Sequence, residues 1–106
     1  MTLKEGTKHD ESKPRVGLIS PIALLAEAQV MTYGAQKYEA HNFRKGISFQ
    51  RVVDAAFRHL IAFNAGEDID PESGLPHLAH LRCCAAFLLE YAVTHPEFDD
   101  RYKLRG

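Results

Sequence analysis

The chain has 106 residues, of which 45% are hydrophobic and 25% charged, and its formal net charge is −1. That balance fits one small folded domain rather than a disordered chain, and it lacks the global basic field that nucleic-acid binding uses. No apolar run approaches the roughly 18 residues of a membrane span, and the first residues do not read as a signal peptide.

Cys83 and Cys84 are adjacent within a helical stretch. Neighbours on a helix diverge by about 100°, so the two thiols do not bridge. Two free thiols without a disulfide framework suit a reducing, cytoplasmic compartment.

In chain order, residues 1–19 form a polar arm carrying Lys4, Lys8, Lys13 and Arg15, broken by Gly6, Pro14 and Gly17. It reads either as a solvated tail or as a strap whose Lys13-Pro14-Arg15 folds over a polyphosphate, where Arg forks two oxygens and Lys acts as a point charge. The His9-Asp10 dipeptide in this arm lacks preorganised metal partners. A helical domain spans residues 20–95, and residues 96–106 form a tail with room for one short turn.

The first helix opens with Ser20 as N-cap and Pro21 at the first helical position and continues to Tyr38. Its apolar stripe is Leu24, Leu25, Ala28 and Met31, and Glu27 is expected in solvent. Gly34 weakens the helix near its end or admits a close neighbour. A loop from Glu39 to Gly46 then gathers His41, Asn42, Arg44 and Lys45 just after Lys37, and is either a substrate-contacting or a merely solvated segment.

The second helix runs from Ser48 to Asn64, with Gly66 as its stop. Val52, Val53, Ala56, Phe57, Leu60 and Ile61 make its apolar face, and Asp54 and Arg58 have the spacing of an i, i+4 ion pair. His59 points inward or to a partner surface. The third helix begins after Ser73 and continues to His95, where Pro96 ends it. His77, His80, Cys84, Phe87 and Tyr91 line one stripe of it, Leu78, Leu81, Ala85, Leu88 and Ala92 line the neighbouring stripe, and Ala79, Arg82, Ala86, Glu90 and Val93 remain for the outer face. A helix so apolar all round is buried on several sides, which three helices alone cannot provide. The expected architecture is therefore an all-α bundle of three main helices that packs as a homo-oligomer.

The densest chemistry lies between Arg58 and Leu81, where four carboxylates (Glu67, Asp68, Asp70, Glu72) and three imidazoles (His59, His77, His80) fall within 24 residues. The alternating carboxylates suggest a calcium loop. Gly74 comes one place late, however, and Ala79 stands where the bidentate Glu would be. His77 and His80, at i and i+3 near a helix start, can reach one ion or one anionic ligand together. Oxygen ligands favour Mg²⁺, and added histidines tilt the set toward Mn²⁺. The bland alternative is a group of capped, partly buried histidines.

The ordered run KPRVGLISP, TYGAQKY with HNF behind it, RHL, GEDIDPESG and HLAH resembles the phage-type dATP/dGTP diphosphohydrolase family, over roughly Lys8 to Tyr91. Phe43 stands where the family's pattern carries Trp. The resemblance implies hydrolysis of a purine deoxynucleoside triphosphate (dATP or dGTP) to the monophosphate and diphosphate by a metal-dependent phage enzyme in the host cytoplasm. The family is similar to the all-α MazG-like pyrophosphohydrolases, but their EExxE and ExxD motifs are absent, and His77-x-x-His80 stands where ExxD would fall.

Matched by position are Lys13, Arg15, Tyr33, Gly34, Lys37, Tyr38, Asn42, Arg58, His59, Glu67, Asp70, Glu72, His77 and His80. The implied roles are these. His59, Glu67, Asp70 and His77 hold a divalent metal, Mg²⁺ or Mn²⁺. Glu72, His80 and Arg58 act in catalysis, with Glu72 as general base. Lys13, Arg15, Lys37, Tyr38, Asn42, Phe43 and Arg44 bind substrate, with Tyr38 or Phe43 stacking on the base. Two rival readings are a His-Asp-type phosphohydrolase that releases triphosphate, and a helical nucleotide-binding module without turnover.

Overall fold

A computed structural model describes residues 3–104. The outer two residues of the arm and of the tail lie outside that range. Among the described residues there are three α-helices and no strand: α1 (Pro21–Lys37), α2 (Phe49–Asn64) and α3 (His77–Thr94). Short 3₁₀ turns cover Val16–Leu18, Asn42–Lys45 and Pro96–Phe98. No helix among them is long and apolar enough to cross a membrane.

Both early helix starts follow from local chemistry. Ser20 Oγ accepts the Ala23 N–H at 3.2 Å with Pro21 behind it, and Ser48 Oγ accepts that of Arg51 at 3.5 Å. The second start has an additional cap from the tail. Asp100 accepts a hydrogen bond from Ser48 Oγ at 2.5 Å and another from the Gln50 N–H at 2.9 Å. These bonds, led by that from Ser48, hold the Asp100 carboxyl below its ordinary pKa. A depressed folded pKa stabilises above the unfolded value and is lost as pH falls through the depressed one. Asp100→Asn is therefore expected to lower the melting temperature at neutral pH, and the difference from the parent should shrink as acid protonates Asp100. A thermal melt series at several acid pH values checks both.

α2 ends in a Schellman motif. Glu67 N–H bonds to Ala62 O and Gly66 N–H to Phe63 O, each at 3.0 Å, with Gly66 at φ +99°. The chain then knots into a tight loop, where Asp70 N–H bonds to Leu75 O, Gly74 N–H to Asp70 O, and His77 N–H to Asp68 O. α3 begins at His77, not after Ser73 as expected. Pro76 holds Leu75 away from helical geometry, and the Ser73 hydroxyl accepts from Leu75 N–H and bonds His80 instead of capping a helix.

α3 is the central helix, with α1 on one side and α2 on the other, both antiparallel to it. At one end of the α2–α3 pair Phe49 lies against Tyr91, and at the other His59 lies against His77. On the α1 side Glu27 pairs with Arg82, while Lys37 reaches Glu72 before α3 begins. One buried cluster joins Phe49, Val52, Cys84 and Tyr91, and a second joins Val30, Ala79 and Cys83. Both thiols are buried and free, and burial pushes Cys83 up to about 12.

Several packing expectations are corrected. Leu24, Leu25 and Ala28 of the expected α1 stripe are exposed, and Val30 is the residue buried against α3. Glu27 is not solvated but pairs with Arg82 at 2.9 Å, which draws Arg82 toward α1. Ala79, placed on the outer face, is buried, whereas Leu78, Ala85 and Ala92, on a stripe expected to be covered, are exposed. Asp54 accepts from Gln50 Nε2 at 2.8 Å and forms no ion pair with Arg58. Residues 3–19 make an arm whose backbone hydrogen bonds are local, and the radius of gyration is 17.9 Å. A compact domain of this length has about 13 Å.

Candidate functional site

The short turn after α2 brings His59, near the end of one helix, against His77 and His80 at the start of the next. His77 is buried, with 5% of its surface exposed. Its Nε2 lies 2.7 Å from Glu67 Oε1 and its Nδ1 lies 2.9 Å from His59 Nδ1. A carboxylate accepts from an N–H, so Glu67 fixes the His77 Nε2–H tautomer and leaves its Nδ1 lone pair toward His59. His80 stacks on His59, centroids 4.6 Å apart. His80 Nε2 is also 2.7 Å from Ser73 Oγ and 3.6 Å from Asp70 Oδ2.

Burial, more than any neighbour, lowers the pKa of both His59 and His80; the His80 and His77 rings depress His59 further, while Asp70 opposes them. Neutral imidazole is the form that ligates metal. His59, Asp70 and His77 each present one ligand atom within 4.8 Å of the others. The 2.9 Å between the facing nitrogens is also the spacing of adjacent ligands around an octahedral ion with bonds of about 2.1 Å, so the three donor atoms could hold one divalent ion.

The cluster opens into a cavity of about 560 Å³ between the end of α1, the 39–47 loop, α2 and α3. Its charged wall consists of Glu39, Asp70 and Glu72 against Lys37 and Arg58, besides four histidines. Lys37 is already paired with Glu72 at 3.0 Å, which raises its pKa. Arg58 has no ion pair among the described residues.

The residues singled out in the sequence are distributed as follows. His59, His77, His80, Asp70, Glu72, Arg58, Lys37, Tyr38, Asn42, Phe43, Tyr33 and Gly34 all line the cavity. Glu67 bonds the far nitrogen of His77 rather than joining the facing ligand atoms. Arg44 bonds His41 Nδ1 at 2.9 Å and lies 3.8 Å from Glu90, outside the cavity wall. Phe43 is stacked on Phe87 at 4.7 Å, so one of its faces is covered, whereas Tyr38 is open. Lys13 and Arg15 are exposed on the arm and line no part of the cavity.

Sequence reasoning missed Ser73 as a partner of His80, Phe87 as the support of Phe43, and His95. Phe87 was signalled by its place on the His77, His80, Cys84 stripe. His95 lies outside the cavity but its Nε2 donates to Arg44 O at 2.7 Å, anchoring the loop.

Gly34 faces the cavity, and a Cβ there would meet nothing within 4 Å. Gly34→Ala is expected to stabilise α1 by about 0.5–1 kcal/mol and to raise KM if ligand fills that space. A melt and a saturation curve on the same preparation test the two halves.

The five-motif resemblance holds across nearly the whole chain. The model of the dATP/dGTP diphosphohydrolase N-terminal family matches residues 4–101, and the chain belongs to that family. A protein described as dATP/dGTP diphosphohydrolase, from Salmonella phage PMBT28, is 34% identical over 96 residues. The match covers 91% of this chain and 33% of that protein, so the chain spans about a third of its relative's length. No solved structure matches.

Proposed function

We propose that the chain hydrolyses a purine deoxynucleoside triphosphate, dATP or dGTP, to the monophosphate and diphosphate with the help of divalent Mg²⁺ or Mn²⁺. The observation that carries this reading is the pair of facing histidine nitrogens, His59 Nδ1 and His77 Nδ1, with Asp70 beside them on a cavity wall. The family and its named relative supply the substrate class. Electrostatics points the same way: a wall with three carboxylates and two side-chain cations, one already paired, repels a triphosphate unless cations are added.

His59, Asp70 and His77 would hold the ion, with Glu67 orienting His77. The ion would neutralise phosphate charge and lower the pKa of water. Glu72, on the cavity rim, takes the proton as water oxygen bonds to the α-phosphorus. The bond from that phosphorus to the bridging oxygen breaks, and the diphosphate leaves with the bonding pair. Arg58, without an ion pair among the described residues, receives that charge. Tyr38 stacks on the base, and Asn42 offers it a donor and an acceptor. His80, held by Ser73 and stacked on His59, fixes the orientation of that ring. Lys13 and Arg15 are not required by this assignment.

Purified protein incubated with each common nucleoside triphosphate, with Mg²⁺, Mn²⁺ or chelator, tests the proposal by ion-exchange separation of products. Monophosphate and diphosphate from dATP or dGTP, abolished by chelator, is the expected result. Released triphosphate would replace it with His-Asp-type chemistry, and binding without turnover would leave a nucleotide-binding module.

A further inference from the structure

The loop wall of the cavity carries a histidine with no part in holding the ion. His41 lines the cavity with its backbone at φ +64° and ψ +13°, in the left-handed region. Side chains seldom sit there unless surrounding structure holds them, and residues so held gather at binding sites. Here the loop is held from several directions. Arg44 N–H bonds to His41 O at 3.0 Å, and Lys45 pairs with Glu39 at 2.5 Å. Tyr91 and His95 pin the carbonyls of Phe43 and Arg44.

The ring is constrained as well as the backbone. Arg44 Nη1 lies 2.9 Å from His41 Nδ1. A guanidinium only donates, so Nδ1 accepts and the ring proton sits on Nε2. Nε2–H is thereby a donor that cannot reverse. Asn42, the next residue, also lines the cavity. Its amide can turn over to present either an acceptor or a donor.

We propose that His41 Nε2–H donates to N7 of the purine, and so selects purines over pyrimidines, while Asn42 meets the substituent beside N7. This rests on the nucleotide reading of the cavity. The ion ligands His59, Asp70 and His77 stand on α2, the turn and α3. A triphosphate bound to their ion leaves the base for the remaining wall, formed by the end of α1 and the 39–47 loop. Adenine and guanine share the acceptor N7 but differ next to it, where adenine has an amino donor and guanine a carbonyl acceptor. On that edge a donor that cannot reverse serves both bases only at N7, and an amide that can reverse serves both beside it. His41 and Asn42 are such a pair. Pyrimidines have no N7.

Replacing N7 by C–H tests the contact. The kcat/KM for 7-deaza-dATP and 7-deaza-dGTP is expected to fall about tenfold below that for dATP and dGTP, the size of one well-placed hydrogen bond. Asparagine tolerates the left-handed backbone, so His41→Asn should keep its circular dichroism while natural and 7-deaza substrates become equal. Its preference for dATP over dTTP should narrow by a similar factor. A histidine that only supports the loop would lower activity on all substrates alike and leave the tenfold ratio in place. NMR titration with dAMP and 7-deaza-dAMP in Mg²⁺ reads the same contact without turnover. A dissociation constant about tenfold higher for 7-deaza-dAMP supports it even in a chain that hydrolyses nothing. Equal kcat/KM or equal binding in the parent, or a ratio that persists in His41→Asn, would overturn it, and continued hydrolysis would then leave the nucleotide reading standing. Failure of any nucleotide to bind would overturn both.

Discussion

His77→Ala is expected to reduce turnover about a thousandfold while the helical circular dichroism persists. The size follows from the several kcal/mol that a bound ion contributes to phosphoryl chemistry, each ~1.4 kcal/mol being tenfold in rate. The structural cost is smaller, about 1–3 kcal/mol, because the change leaves one histidine nitrogen and one carboxylate without a partner, and the half-exposed Glu67 can turn to water. Glu67→Gln separates positioning from ligation. The amide still bonds the imidazole but no longer fixes its tautomer, so Mn²⁺ affinity should fall about 10- to 100-fold and saturating Mn²⁺ should restore turnover. Mn²⁺ titration beside the activity assay reads both variants. Full turnover in His77→Ala would sink the metal reading, and a melted fold with intact Mn²⁺ binding would make His77 structural.

The parts of this molecule written in local chemistry are the parts legible in its sequence. Ser20 with Pro21, Ser48, and Gly66 mark helix ends because each supplies a bond or a backbone conformation to its own neighbours. The meeting of His59 with His77 is legible for a related reason, since a turn closed by Gly66, Pro71 and Gly74 leaves little slack between two helices. Choices settled across the molecule are not legible. α1 is apolar on more than one side, so periodicity offers a Leu24–Leu25 stripe, while packing selects Val30 because it fits Ala79 and Cys83. Ser73 looks like a cap until Pro76 moves the helix start and His80 takes the hydroxyl. Gln50 outcompetes Arg58 for Asp54. Lys13 and Arg15 are grouped with the phosphate contacts by charge type, and the arm that carries them lines no part of the cavity in this structure. Charge type is visible in a sequence, but where an arm comes to rest is not.

Tyr91→Ala is expected to be the most destabilising single truncation, about 3–5 kcal/mol, against the 5–15 kcal/mol that holds a domain folded. Tyr91 is fully buried, with 0% of its surface exposed, and its ring lies among Phe49, Phe87 and His95. Its hydroxyl crosses to the cavity loop and donates to Phe43 O at 2.5 Å, which couples the core to the wall that carries Asn42 and Phe43. Burial pushes that hydroxyl up to about 12, so it keeps its proton and remains a donor throughout the neutral range. Tyr91→Phe isolates this coupling, for it keeps the ring and deletes the donor. Phe43 O retains the Gly46 N–H at 3.1 Å, which limits the cost to about 1 kcal/mol, or several degrees of melting temperature in a domain this small. The loop should nonetheless loosen. Amide exchange over residues 41–46 should quicken more than over α2, and KM for the nucleotide should rise while kcat changes little. If exchange in α2 and in the loop rises equally, the hydroxyl supports the core alone and the cavity wall is held by His95.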